Sequence, residues 1–416
     1  MRITFASLGT LGDLHPLLAL ALRARARGHD VVIAASSRFA VNVAAHGVDF
    51  VPIRPTLEPD AEKVRRLNHP SRGPERLLRE EVFPAVRETY ADLLEATSGA
   101  DLMAVGELLY VAPLVAAKRG IPWANIVLSP TSLLSAIDPC VLAPIPGFHA
   151  FRHLGSLPHR LLLEFGNRHT SRWAQPYFDF CKELGVPGGP NPVFSGKHSP
   201  HLTLVMFPEC FAAPQRDWPA SVVQTGFPFL EQKADPHTRA SVESFLASGK
   251  PPLVFTLGSS MVQIAGDFYT LAAQAAEQLG QRAILLTGTD PAGKSFAGNA
   301  LALKYAPLES VVPRCSVMIH HGGIGSCAMA LRSGRPSLVI PFGYDQPDNA
   351  ERLRRAGIGL TLQQNQISIS SLTKRIGAIL NDAGMRERAG EVARKISPDA
   401  DLERSLNALV AIGPRN

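Results

Sequence analysis

Cysteine is scarce and unpatterned: five residues (Cys140, Cys181, Cys210, Cys315, Cys327), odd in number and with no C-x-x-C among them. That argues against a disulfide framework or a zinc site and for reduced, buried thiols. No apolar run approaches the ~18 residues of a membrane span, and the apolar part of the opening MRITFASLGTLGD is too short for a signal peptide. The expected location is therefore the cytoplasm, with contact to the inner face of the membrane left open. There is no basic-aromatic module for nucleic acid and no internal repeat of fixed period. With 45% hydrophobic and 19% charged residues the chain reads as soluble and globular, neither disordered nor coiled. A net charge of +6 and a pI near 9.2 suit anionic ligands or an anionic surface.

At 416 residues the chain exceeds what one core serves, so two domains are expected. Apolar runs at 3–7, 31–35, 49–53, 102–105, 123–127, 202–206 and 222–225 alternate with helix-forming stretches. A second such series starts at 253–257. That rhythm predicts α/β architecture, two doubly wound parallel sheets, with a ligand between them. The expected division is 1–228, a linker at 229–250, a second domain at 251–396, and a helix at 397–416 packing back on the first domain. The first helix is expected to begin near Pro16 and to end at Gly28. Asp399-Ala400-Asp401 reads as N-cap and first-turn carboxylates of the last helix.

Residues 316–351, SVMIHHGGIGSCAMALRSGRPSLVIPFGYDQPDNAE, carry the densest chemistry. An apolar strand ends in His320-His321. The turn Gly322-Gly323-Ile324-Gly325-Ser326 then leads into a helix. Glycines let a ligand approach the backbone closely, and the amides and dipole of a helix N-terminus favour a diphosphate. Asp345-Gln346, after the next strand, are placed to accept hydrogen bonds from hydroxyls. An ordinary αβ turn has the same outline; the clustering of two His, three Gly, a Ser and D-Q-x-x-N is what points to a phosphorylated, hydroxyl-rich ligand.

This cluster resembles the nucleotide-sugar signature of the glycosyltransferase-B superfamily, in particular its UDP-sugar-dependent and antibiotic or sterol-type members. Stretches outside the core, such as Pro214-Gln215-Arg216-Asp217-Trp218-Pro219 and Gly266-Asp267-Phe268-Tyr269, are similar to the lipid-rhamnosylating branch. The resemblance implies a metal-independent, inverting transfer of a hexosyl group from a UDP- or dTDP-sugar to a lipophilic hydroxylated acceptor, with no cofactor. It implies that Gly258, Ser259, Gly323, Gly325 and Ser326 meet the diphosphate. The family's histidine there corresponds to His321 in some members and His320 in the rhamnosyl-transferring ones. By the same resemblance Tyr305-Ala306-Pro307 reads the base and Asp345-Gln346 holds the sugar. At the first strand–helix turn, Gly12-Asp13-Leu14-His15-Pro16 has Asp where many members have the catalytic His, so Asp13 is the implied base, with Gly12 facing the donor. His15, Glu107, Ser132 and Phe148 are the candidate acceptor contacts, packing being the alternative for His15.

Two other readings are a sugar-nucleotide epimerase or hydrolase on the same fold and an inactive binding module. An epimerase needs no acceptor pocket, which the long apolar insertion at 141–163 suggests. An inactive module would be expected to lose Asp13 or the His pair.

Overall fold

The computed structural model describes every residue except 58, 59, 233, 293, 294, 415 and 416, so one position of the expected linker and two of the C-terminal segment lie outside the described residues. The chain forms two units: Met1–Glu58 with Ser71–Leu230 and Ser397–Asn416, and Pro59–Pro70 with Glu231–Ile396.

The first unit is built on seven strands, β1 (Arg2–Ser7), β2 (Asp30–Ala35), β3 (Asp49–Pro52), β4 (Leu102–Val105), β5 (Trp123–Val127), β6 (Leu202–Val205) and β7 (Val222–Gln224). They run parallel in the order β3-β2-β1-β4-β5-β6-β7. Runs such as LMAV and WANIV are buried throughout, as strands covered on both faces require. The order reverses between β1 and β4. Ligands of doubly wound sheets bind outside the strand ends at such a point. Ala6 pairs with Val105 there, and the Gly106 amide donates to Ala6 O at 2.8 Å, bringing the turns after β1 and β4 together.

The first helix spans Leu11–Ala26, with Pro16 inside it. The expectation of a start near Pro16 gave way to a stronger signal. Thr10 and Asp13 form a capping box, which satisfies the helix's first donors, while Pro16 removes only one bond in the second turn. The last helix, Pro398–Val410, buries Leu402, Leu406 and Leu409 against Leu14, Leu17 and Leu18. Arg23 pairs with Asp399 at 2.7 Å and Glu403 at 2.9 Å. Ser397 occupies its N-cap position, so Asp399 and Asp401 are first-turn residues only.

The second unit repeats the arrangement with β8 (Leu253–Thr256), β9 (Ala283–Leu286), β10 (Ala300–Leu303), β11 (Val317–His320), β12 (Ser337–Val339) and β13 (Gly359–Thr361), parallel in the order β10-β9-β8-β11-β12-β13. His320 stands opposite Thr256 of β8 and Val339 of β12, so the turns after β8 and β11 lie side by side. Two features differ from expectation. The stretch at 229–250 is largely a helix, Pro236–Ala247, capped by Asp235 accepting from the Thr238 amide at 2.9 Å and held by Arg282 over the Phe245 ring at 4.1 Å. Residues of the short helix Ala61–Leu67 also belong here: Val64 is part of this unit's core, and the Tyr344 hydroxyl donates to Leu67 O at 2.7 Å.

Candidate active site

In the first unit, Gly9 turns the chain with φ +123°, and a side chain on it would overlap the Asp13 carboxylate. That carboxylate accepts from the Thr10 amide at 2.7 Å and the Thr10 hydroxyl at 3.0 Å. Asp13 is half-buried. Burial, the largest influence, lifts its carboxyl above the ordinary value; the Thr10 bonds pull it back, the Glu107 charge adds to the rise, and Arg38 opposes it. Arg38 is fixed by donating to Gly9 O at 2.6 Å and Leu57 O at 3.0 Å. Gly12 follows on the exposed side of the turn, its amide donating to the Thr10 hydroxyl at 3.1 Å.

Glu107, in the turn after β4, accepts from the Ser132 hydroxyl and lies 3.9 Å from the Lys197 ammonium, whose side chain is only 11% exposed. Burial lowers the Lys197 pKa and Glu107 opposes the shift. The structure thus brings Asp13, Glu107 and Ser132 into one electrostatic neighbourhood and adds Lys197, which sequence reasoning missed. Its place, just ahead of β6, gave no motif to find it by. His15 is half-buried, and burial followed by repulsion from His46 takes its pKa down to about 4. Phe148 adds no charge or side-chain hydrogen bond to that group and is packed edge-on to His159 with ring centroids 5.2 Å apart.

In the second unit the two histidines separate. His320 is 0% exposed, and its Nδ1 accepts from the Gly322 amide at 3.2 Å. His321 is part-exposed and sits against both Gly258 and Gly323, where a methyl at either position would overlap its ring. Gly258 holds φ +69°. Burial takes His320 to about 3 and His321 to about 4, so both rings are neutral near pH 7. Gly323 is the N-cap of the helix Ile324–Arg332 and offers no capping side chain, leaving first-turn amides for a ligand. Gly325 is exposed and Ser326 buried. Ser259, beyond Gly258, is exposed.

Asp345 stands at the N-cap position of the helix Gln346–Arg355 without capping it. Its carboxylate accepts from the Asn349 amide group at 2.7 Å, which also donates to Gly322 O at 2.9 Å. Gln346 is buried, its carbonyl accepting from the Phe342 amide at 2.8 Å. Asn349 is thus the brace between the acidic turn and the glycine loop, a role the D-Q-x-x-N pattern hinted at without assigning. Tyr305 is 52% exposed, with its hydroxyl bonded to Gln232 and its pKa pushed up to about 12 by burial of the oxygen and by Glu309; Ala306 beside it is fully buried. Asp399 and Asp401, far along the sequence, are taken up by Arg23 and Arg404, and among the described residues no group of three His, Cys, Asp or Glu gathers as a metal site.

Residues 3–121 match the family model for the glycosyltransferase family 28 N-terminal domain, and residues 283–402 that for the C-terminal domain of erythromycin biosynthesis protein CIII-like proteins. The chain is 30% identical to O-mycaminosyltylonolide 6-deoxyallosyltransferase of Streptomyces fradiae over 99% of its length and 97% of that protein. It is 29% identical to the glycosyltransferase GtfC of Amycolatopsis orientalis, over 96% and 95% of the two chains. Among solved structures it is similar to the spinosyn rhamnosyltransferase SpnG complexed with thymidine diphosphate (TM-score 0.68, 20% identity, 98% of this chain and 100% of that one). VinC in complex with dTDP is similar to the same degree, over 99% of each chain. Two doubly wound sheets with their glycine turns give the two-domain architecture of the GT-B fold, and the family models and relatives define a glycosyltransferase. The chain belongs to the antibiotic-type glycosyltransferase family.

Proposed function

We propose that the protein transfers a hexosyl group, with inversion, from a nucleoside diphosphate sugar of the dTDP-rhamnose or UDP-glucose type to a hydroxyl of a lipophilic small molecule or lipid. The observation that carries this reading is the seat of His321 between the Gly258 and Gly323 backbones at the head of a helix without a side-chain cap. A neutral imidazole N–H, first-turn amides and the helix dipole are the donors that a departing diphosphate needs as its charge grows. The thymidine diphosphate bound by SpnG and VinC supports a dTDP-sugar as donor. Tyr305 faces the base in this reading, Ala306, with no exposed surface, only backs it, and Asp345, braced by Asn349, holds the sugar.

Asp13 removes the proton from the acceptor hydroxyl as that oxygen bonds to the anomeric carbon. The bond from that carbon to the diphosphate oxygen breaks on the opposite face, which inverts the centre. Because protein groups supply the counter-charge, transfer is independent of metal. Thermal shift with dTDP, UDP and their sugars, followed by turnover with the stabilising donor in EDTA, is the test. A rise in Tm with one diphosphate sugar and full turnover in EDTA are expected. Turnover lost in EDTA and restored by Mg²⁺ would overturn metal independence, and no shift with any diphosphate would overturn the donor assignment.

No helix among the described residues is long and apolar enough to cross a membrane. A cytoplasmic protein touching an anionic membrane surface is the reading supported by the helix Leu157–Ser171, where Leu157, Leu161 and Phe165 are 65%, 63% and 68% exposed at successive turns. Arg160, Arg168 and Arg172 are exposed on this helix or just beyond its end, against a single acid, Glu164, which pairs with Arg168 at 2.9 Å. Co-flotation with anionic vesicles, and none with zwitterionic ones, is expected. Absence from both fractions would refute the contact.

A further inference from the structure

A small cavity in the first unit holds a polar atom that the fold does not use. Its walls include Leu134, Cys140, Leu142, Phe148 and Leu163, together with His159. His159 is 3% exposed. Its Nε2 lies 3.2 Å from Phe148 O; a carbonyl has no proton to give, so Nε2 carries the hydrogen and, in the neutral ring, Nδ1 keeps a bare lone pair. Nδ1 is buried and has no partner. Buried acceptors are almost always satisfied, and the bond to Phe148 needs only one of the two nitrogens.

The cavity borders the Asp13 neighbourhood. Cys140 in its wall acts electrostatically on Lys197, which faces Glu107. Ser132, which donates to Glu107, lies in the turn Pro130–Leu133 that leads directly to Leu134. The other wall is the short turn Phe148–Leu154, none of whose residues is buried. In this structure the cavity measures about 20 Å³, so a ring enters only if that lightly packed turn moves, as segments with few buried contacts do at low cost.

We infer that the cavity is the anchoring end of the acceptor site. It takes an apolar ring or chain end bearing one hydroxyl, distinct from the hydroxyl that receives the sugar, and that hydroxyl donates to His159 Nδ1. The word acceptor rests on the transferase reading above; binding itself does not, and the test measures binding. Against the full-length protein, 4-butylphenol and butylbenzene differ by the hydroxyl alone. Calorimetry should show 4-butylphenol binding about tenfold or more tightly, with the His159 Nδ1 resonance shifting in ¹⁵N spectra. His159→Phe should bring the two compounds to equal affinity. Leu163→Trp, which fills the cavity and keeps the histidine, should abolish binding of both; it guards against a His159 variant that simply loosens the turn.

Equal affinities in the unaltered protein would overturn the inference, as would a phenol preference that survives His159→Phe or binding that survives Leu163→Trp. A phenol preference in a protein that uses no sugar nucleotide would leave the pocket standing and defeat the transferase reading. Sugar transfer without the preference would do the reverse.

Discussion

Replacing Asp13 with asparagine will lower kcat by about 10²-fold or more and leave diphosphate affinity nearly unchanged. The amide keeps the shape of the carboxylate, and its oxygen still accepts from the Thr10 amide and hydroxyl, which hold Asp13 at 2.7 and 3.0 Å; the capping box and the first helix therefore survive. What is lost is the capacity to take a proton. The pH profile carries an independent sign. Burial and the Glu107 charge raise the Asp13 pKa, and only the ionised form accepts a proton, so activity falls on acidification at a higher pH than for an exposed aspartate. Glu107→Gln removes part of the cause and should move that acid limb to lower pH. Near-normal turnover in Asp13→Asn would sink the assignment of the base.

The two neighbouring histidines should respond in opposite ways. His321→Ala is expected to slow transfer by about 10²- to 10³-fold, the usual cost of one lost donor to a developing anion, with Tm nearly unchanged because the ring is part-exposed. Gly258→Ala should mimic it, since the added methyl overlaps that ring and φ +69° disfavours any side chain. His320→Ala instead empties a fully buried site and strips the Gly322 amide of its acceptor, a loss of about 2–4 kcal/mol in stability. Melting curves and turnover on the same three proteins decide it. A stable, inactive His320→Ala beside an active His321→Ala would exchange the two roles.

The α/β alternation was legible because parallel strands covered on both faces read as short apolar runs, as in Leu253–Thr256 and Trp123–Val127. The edge strands Ala300–Leu303 and Gly359–Thr361 were not: the first is apolar but made of the helix formers Ala and Leu, the second holds a single large apolar residue, and each is only partly buried. Prolines and polar residues made 229–250 resemble a linker, although Asp235-Pro236 is a good helix start; composition outweighed capping there. The glycine loop, Asp13 and Asp345 could be picked out because their chemistry is local in sequence. The separate surroundings of His320 and His321 could not, because they depend on which side of a strand end faces the interior, and Lys197 meets Glu107 only through the folding of the sheet. The segment 141–165 was legible as apolar, but its division into a small apolar pocket and an exposed stripe was not.

The interleaving of the two units bears on how this gene could be recombined with those of its relatives. A cut near residue 230 looks like the natural crossover for exchanging donor and acceptor specificities. Yet the front piece would surrender Leu402, Leu406 and Leu409 from its core, and the rear piece would surrender Val64 and the Leu67 carbonyl that anchors Tyr344. A hybrid that keeps its parental folds needs four junctions rather than one: the tail from residue 397 travels with the front half, and the short helix Ala61–Leu67 travels with the rear. Shuffled libraries that respect this partition should yield soluble hybrids where single-crossover ones aggregate.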